Sequence, residues 1–392
     1  MRAFGAMLEA ELAALTTANR RRACPPVSGR SRVNIGVAGE PRLAFCSNDY
    51  LGLANHPALA QAAGAAAAEQ GFGSSAARLV SGDFPAHRQL EERLAAYCRR
   101  PAALVFPSGY QTNLGVLTAL AGPEDLIVSD ALNHASLIDG CRLSRARVAV
   151  YPHRDARAAG RLLAEGNAAR RRLLVTESIF SMDGDAAPLA DLADLADRHD
   201  AILIVDEAHA FGVLGPRGRG LAAAAGIEPD VLIATLGKAV GAAGGFVAGS
   251  NPLRDFLVNR ARTFVFTTAL PPPVAAAAAA ALVLLDGPEG DERRARLRDR
   301  RTWLAERLAA LRPLALPGFT DCPESPILPF VLGTEARALA VSAALAERGV
   351  FVPAIRPPTV PVGTARLRIT LSAAHEQRDL ETLVRALGEA IA

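Results

Sequence analysis

Between Pro101 and Gly249 the chain repeats one rhythm: a short run of aliphatic and β-branched residues, then a longer run with helical spacing. AALVF (Ala102–Phe106), DLIVS (Asp125–Ser129), VAVY, LLVTES and AILIVDE (Ala201–Glu207) are the extended runs. VLIAT (Val231–Thr235) and GFVAG (Gly245–Gly249) continue them. Helical stretches follow the first two, to about Ala121 and over Ala131–Leu143. A third, PLADLADLADRHD, sets Leu189, Leu192, Leu195 and Ala196 on one face. Alternation of this kind predicts an α/β fold with a mostly parallel sheet and helices on both faces.

After Asp286 the character changes. GPEGDERRARLRDRRTWLAERLAALRP reads as one long charged helix. ILPFVL, a helix over Thr334–Arg348, VFVPAI, ARLRITL and a last helix from about His375 then make a small α+β segment. The expected division is an N-terminal helical arm over 1–45, a large domain over 46–285 and a small C-terminal domain over 286–392. The 392 residues are ample for this.

Charge argues against two classes of partner. Arginines are balanced by 40 acidic residues to a net charge of +3, and Glu and Asp are interspersed along the arginine-rich helix. That makes a solvated face with i,i+4 pairs rather than a nucleic-acid surface. The most apolar run, Val274–Leu285, holds seven consecutive alanines but only 12 residues. It is too short to span a bilayer and reads as a buried helix. The N-terminal stretch carries Glu9 and Glu11 and lacks the continuous apolar segment of a signal peptide. Cys24, Cys46, Cys98, Cys141 and Cys322 form no C-x-x-C pair, and their odd number argues against a disulfide framework. A reducing cytoplasm is the expected location.

Of the 43 Lys and Arg residues a single one, Lys238, is lysine, in IATLGKAVGAAGG. It could be a surface residue that escaped the bias toward arginine. As a phosphate-loop lysine it would need Gly five positions before the Gly-Lys pair and Ser or Thr after it; Leu232 and Ala239 stand there. The third reading is an amine that forms an imine with a carbonyl, which arginine cannot do because guanidinium keeps its proton.

Partners favour the third reading. Asp206 ends the AILIVDE run, 32 residues before Lys238. An acid there points into the ligand crevice of a parallel sheet and can keep the ring nitrogen of a pyridoxal cofactor protonated. His209 follows one turn later, within reach of the phenolic oxygen of such a cofactor. FPSGYQTNLG turns through Ser108-Gly109 into a helix whose first amides suit a phosphate. His134 opens the helix after the second strand, where a flat imidazole could stack on a ring. TESIFSMDGD sets Glu177, Ser181 and Asp183 beyond another strand end; its D-x-D lacks the remaining ligands of a calcium loop. No H-E-x-x-H, Cys/His cluster or G-x-S-x-G occurs, so no metal is expected. Nor does a G-x-G-x-x-G follow the early strands, which argues against a dinucleotide-binding dehydrogenase.

SNDYLGL, PSGYQTN, NHAS, TESIFSMDGD, VDEAHAFG, TLGKAVGAAGG and FTTALPP, in that order, resemble the α-oxoamine synthases. These are fold-type I pyridoxal-phosphate transferases that condense an amino acid with an acyl thioester. The resemblance runs from about Cys46 to about Ala374. It implies a mostly parallel seven-stranded sheet flanked by helices, a small C-terminal domain, and a homodimer with shared active sites. It implies Lys238 as the cofactor-linking lysine and base, Asp206 on the pyridinium nitrogen, and His209 and Ser181 on the phenolic oxygen. His134 becomes the stacking histidine, Gly109 and Tyr110 backbone contacts, and Thr235 a phosphate ligand. Thr267 and Thr268 would reach the cofactor phosphate of the neighbouring subunit. Asn48 and Arg368 match positions near the substrate carboxylate.

Within that family AIRPPTVPVGTARLRIT resembles the branch that joins L-alanine to a pimeloyl thioester, carried on CoA or a carrier protein, in biotin synthesis. Arg356 and Thr359 would then line the substrate site, with Arg20 reaching the acyl chain. Members that use glycine or serine are the alternative. A non-catalytic binding protein on the same scaffold is the alternative from another class. Ala76 and Ala77 depart from the small polar or glycine residues common in the loop before Val80-Ser81-Gly82.

Overall fold

All seven extended runs become strands of a single sheet in the computed structural model, which describes residues 3–29, 32–311 and 324–392. They are β1 (Ala102–Phe106), β2 (Leu126–Asp130), β3 (Arg147–Tyr151), β4 (Arg172–Glu177), β5 (Ala201–Asp206), β6 (Val231–Thr235) and β7 (Gly245–Gly249). Their spatial order is β1-β7-β6-β5-β4-β2-β3. The pairs from β6 to β3 are parallel, while β7 runs antiparallel to both neighbours.

Period-two alternation splits the apolar residues between two cores. Ile127, Leu173, Val175, Ile204, Val231 and Ile233 pack under the helices Gly109–Leu120 and Ala135–Leu143. Leu126, Val128, Leu174, Leu203 and Val205 pack on the other face, against Ala156–Glu165 and Leu189–Arg198. Each fully buried aliphatic side chain contributes about 2 kcal/mol, so both faces are strongly driven. The helix after β2 covers one face and the helix after β4 covers the other. Their connections diverge between these neighbouring strands, which opens a crevice at the carboxyl ends.

The chain divides into two compact units, and the division differs from the expected one. One unit comprises Asn48–Ser181 and Asp185–Leu297; the other comprises Met1–Ser47, Met182–Gly184 and Arg298–Ala392. The supposed N-terminal helical arm is helical only over Ala3–Thr17. It continues as strands at Val27–Ser28, Asn34–Val37 and Glu40–Ala44, the last pairing in parallel with Val350–Phe351. Its end is tied to the C-terminal segment: Thr370 donates its backbone N–H to Phe45 O at 2.9 Å, and Phe45 stacks on His375 at 4.2 Å. The boundary also falls inside the charged helix, observed as Pro288–Ala310. The last two positions of that predicted stretch, 312 and 313, lie outside the described residues.

In the second unit Ile327–Gly333, Ala365–Thr370 and Ala354–Ile355 form an antiparallel sheet, accompanied by the helices Glu335–Glu347 and Gln377–Ile391. Arg366 is fully buried there and donates to Asp183 Oδ1 at 2.5 Å and Met182 O at 3.2 Å. The alanine-rich run is the helix Pro272–Asp286, with Ala275, Ala278, Ala281, Leu282 and Leu285 buried. No described helix is long and apolar enough to cross a membrane. Cys24, Cys46, Cys98 and Cys141 are unpaired; Cys322 lies outside the described residues.

Candidate active site

The turn after β6 presents Lys238. Leu236 N donates to Gly244 O and Gly241 N to Lys238 O, both at 2.9 Å, so the loop folds back on itself around the lysine. Gly241 has φ 73°, and a Cβ there would stand 2.5 Å from Ala54 N. The glycine is thus required by packing against the SNDYLGL segment. Gly237 has no positive φ and its Cβ position is only in ordinary contact. Gly241→Ala is expected to destabilise the protein by about 2–3 kcal/mol, through a left-handed alanine and overpacking. An unchanged thermal midpoint would refute this.

Three strand ends converge with that turn. Gly109, Tyr110, Asn113, His134, Ser136, Glu177, Asp206, Ala208, Thr235 and Lys238 line a cavity of about 160 Å³. Asp206 ends β5 on the face of Ile204, since two residues along a strand return to the same side. It is 5% exposed and accepts from Asn113 Nδ2 at 2.8 Å and Ala208 N at 2.9 Å. Two donors stabilise a carboxylate in a buried place.

Lys238 Nζ lies 2.8 Å from His209 Nε2, and His209 Nδ1 lies 2.7 Å from Tyr50 Oη, which donates to Asn48 Oδ1 at 3.0 Å. One consistent assignment has a lysine N–H giving to Nε2, the Nδ1–H giving to the tyrosine oxygen, and the phenol giving to the amide. Both Tyr50 and His209 are buried.

His134 is the N-cap of Ala135–Leu143; its Nδ1 accepts from Ser136 N at 3.2 Å and lies 2.7 Å from Ser136 Oγ. Burial pushes its imidazole below the usual histidine range, against the raising effect of Asp206. The ring is therefore neutral, with Nδ1 as acceptor. Ser108 caps Gly109–Leu120 by accepting from Gln111 N at 3.2 Å. Thr235 Oγ1 accepts from Gly237 N at 3.2 Å and donates to Gly244 O at 2.9 Å. The Tyr110 phenol donates to Asp139 Oδ2 at the mouth.

Other expected residues are not among the lining of this cavity. Ser181 is buried but not among its lining. Thr267 is half-buried and Thr268 exposed, and neither lines the cavity of its own chain. Arg20, Arg356, Thr359 and Arg368 belong to the unit that includes the C-terminus. There Arg22 Nη2 donates to Thr359 Oγ1 at 2.9 Å, Arg356 Nη1 donates to Asn19 O at 2.5 Å, and Arg20 pairs with Glu335 at 3.4 Å. Arg368 is buried in Ala365–Thr370 and lowers the pKa of Cys46, although burial wins and raises that thiol to about 11. Among the described residues no cluster could hold a metal ion.

Asn113 and Ser136 escaped sequence reasoning as site residues, although both lie inside the motifs quoted above. Asn113 stands four positions after Gly109, hence on the same helical face. Glu177 was visible as a strand-end acid, but its burial beside Asp206 was not.

The model of the family "Aminotransferase class I and II" matches residues 40–387. The chain belongs to that family. A family relative, 8-amino-7-oxononanoate synthase of Anaeromyxobacter dehalogenans strain 2CP-1, is 53% identical over 96% of this chain and 94% of its own. A serine palmitoyltransferase variant from S. paucimobilis with bound PLP and myriocin superposes with a TM-score of 0.90 at 30% identity, covering 98% of this chain and 96% of its own. An 8-amino-7-oxononanoate synthase from Francisella tularensis gives 0.74 at 30% identity, over 89% and 98%. The fold is thus the fold-type I transferase architecture that the resemblance implied.

Proposed function

We propose that this chain carries out the 8-amino-7-oxononanoate synthase reaction with pyridoxal 5′-phosphate as cofactor. L-alanine and a pimeloyl thioester give 8-amino-7-oxononanoate, carbon dioxide and the free thiol carrier. The observation that carries the reading is that Lys238 lines one cavity together with Asp206, whose carboxylate accepts from two donors. Relatives about half identical over nearly the whole chain bear that name.

The residues present suit the cofactor. Asn113 Oδ1 and Glu177 Oε1 are buried in the cavity wall without a protein partner. A Cβ on Gly245 would come 2.6 Å from Gly109 Cα, so that the strand β7 can press the phosphate-binding turn into place. Bound there, pyridoxal phosphate supplies an electrophilic carbonyl carbon and a ring that withdraws the electron pair of a breaking Cα–H bond.

Asp206 would hold the positive ring nitrogen by a charge-assisted hydrogen bond. The amides at Gly109 and Tyr110 and the Thr235 hydroxyl would take its phosphate. His134 offers the flat face of a neutral ring on one side. Lys238 Nζ removes the α-proton of alanine as a neutral amine, and His209 Nε2 is placed to receive a proton from it. Asn48 and Arg368 bind the alanine carboxylate; Arg20, Arg356 and Thr359 bind the pimeloyl part. His209 and Ser181 would hold the phenolic oxygen.

A homodimer completes each site through Thr267 and Thr268 of the neighbour. Two loops support this reading: Phe72, Leu79, Val80 and Phe266 are 79%, 53%, 81% and 71% exposed. Their loops are joined by Ala269 N donating to Ala76 O at 3.0 Å and Ser74 Oγ donating to Leu270 O at 2.8 Å. Such a patch suits burial against a second copy.

The test has two parts. Purified protein is expected to carry a pyridoxal phosphate chromophore that borohydride bleaches and fixes to Lys238 in the peptide map. Product analysis with alanine, glycine and serine, against pimeloyl-CoA, pimeloyl-carrier protein, acetyl-CoA and succinyl-CoA, is expected to give turnover with alanine and pimeloyl donors. A protein that binds no pyridoxal phosphate sinks the proposal, and turnover with glycine alone moves it to another branch.

A further inference from the structure

Glu177 is the acidic lining residue of the cavity to which the mechanism gives no task. It ends β4 in register with Asp206 at the end of β5. Both continue the alternation of Val175 and Ile204, so the two carboxyls leave neighbouring strands on the same face, about 5 Å apart at their backbones. Glu177 is 2% exposed and Asp206 5%.

Their hydrogen bonds are unequal. Asp206 accepts from Asn113 and from the Ala208 amide. The Glu177 carboxyl accepts from the backbone N–H of His134, and its Oε1 has no partner. Its own backbone N–H is held by Asn133 Oδ1 at 3.0 Å, so the strand end cannot turn away. Buried carboxyls on adjacent strand ends disfavour each other's charge, and a shared proton goes to the one with fewer donors.

We propose that Glu177 is a neutral carboxylic acid and a positioning residue of the site. One oxygen accepts from the His134 backbone and sets the start of the helix that carries the stacking imidazole. The other bears the proton and turns an O–H donor into the cavity. Asp206 is thereby left as the single carboxylate opposite the ring nitrogen. The charges around Glu177 agree: burial raises its pKa well above the carboxylate range, Asp206 and Asp130 add to this, and Lys238 opposes it. The role in the reaction rests on the function proposed above; the charge state does not.

Two readouts test this on the full-length protein, with and without pyridoxal phosphate. The infrared difference between parent and Glu177→Gln at neutral pH is expected to contain the carbonyl band of a protonated acid. In activity Glu177→Gln, which keeps an acceptor and a donor, is expected to exceed Glu177→Ala by about ten- to a hundredfold in kcat/KM, because alanine strands the His134 amide. A carboxylate band in the difference spectrum, or Glu177→Gln no better than Glu177→Ala, overturns the proposal. Should Glu177→Gln not fold, Glu177→Asp gives the same subtraction, with the acid band displaced if the group is neutral. The infrared spectrum is taken without cofactor as well, so a protein that bound no pyridoxal phosphate would refute the proposed function and still reveal whether Glu177 carries its proton.

Discussion

Lys238→Arg is expected to lower kcat/KM by at least about a thousandfold while the protein stays folded. Arginine keeps the positive charge and can still donate to His209 Nε2, which lies 2.8 Å from the lysine nitrogen. It cannot offer a neutral nucleophilic amine or take a proton at that atom. The substitution therefore separates charge from chemistry in a chain that otherwise uses arginine throughout. Circular dichroism and thermal unfolding would certify the fold. Activity within about tenfold of the parent would mean that Lys238 is only a cation.

His153 carries the second large effect, on stability. Its Nδ1 lies 2.9 Å from Asp130 Oδ1 and its Nε2 lies 2.9 Å from Asp185 Oδ2, with both carboxyls buried. Burial alone would lower the imidazole pKa; the hydrogen bonds and charges of the two aspartates outweigh it and push the pKa up to about 9. Arg154 Nη1, 3.4 Å from Asp185, and Phe180, edge-on at 4.3 Å, complete the surroundings. A raised folded-state pKa stabilises fully below the unfolded value near 6.5, and that contribution fades as pH climbs through about 9. Thermal midpoints taken from about pH 6 to about pH 10 should fall across that window. His153→Ala should abolish this component and cost about 2–3 kcal/mol at neutral pH, less than a fully buried pair because about a quarter of the ring is open to water. A parent and a variant with parallel pH profiles would contradict the pairing. Asp185 belongs to the D-x-D that resembled a calcium loop: here it serves a histidine, while Asp183 serves Arg366.

The sheet was legible because its strands are continuous apolar runs between helical ones, a signal that needs only nearest neighbours in sequence. The antiparallel sense of β7 was not, since direction is set by which neighbour a strand meets. The short strands at Asn34–Val37 and Glu40–Ala44 were missed for a related reason. Their runs are short and mix polar with apolar residues, most of them half-buried or exposed, and they become strands by pairing with each other and, through Glu40–Ala44, with Val350–Phe351 far along the chain. Lys238, Asp206, His209 and His134 could be named from residue type and place alone. Asn113 and Tyr50 could not, nor could the burial of Glu177 beside Asp206, because their significance lies in what they touch.

Sequence by itself determined the chemistry available: one primary amine among arginines, an acid at a strand end, and histidines after two strands. Those are local facts, carried by residue identity and by the two-residue and 3.6-residue periods. Only the tertiary structure decided the state of each group. It placed two carboxyls side by side on neighbouring strands and gave two donors to one and one to the other. It also joined Lys238 to Asn48 through His209 and Tyr50. Protonation and hydrogen-bond direction depend on burial and on partners distant in the chain, and neither exists until the strands have met.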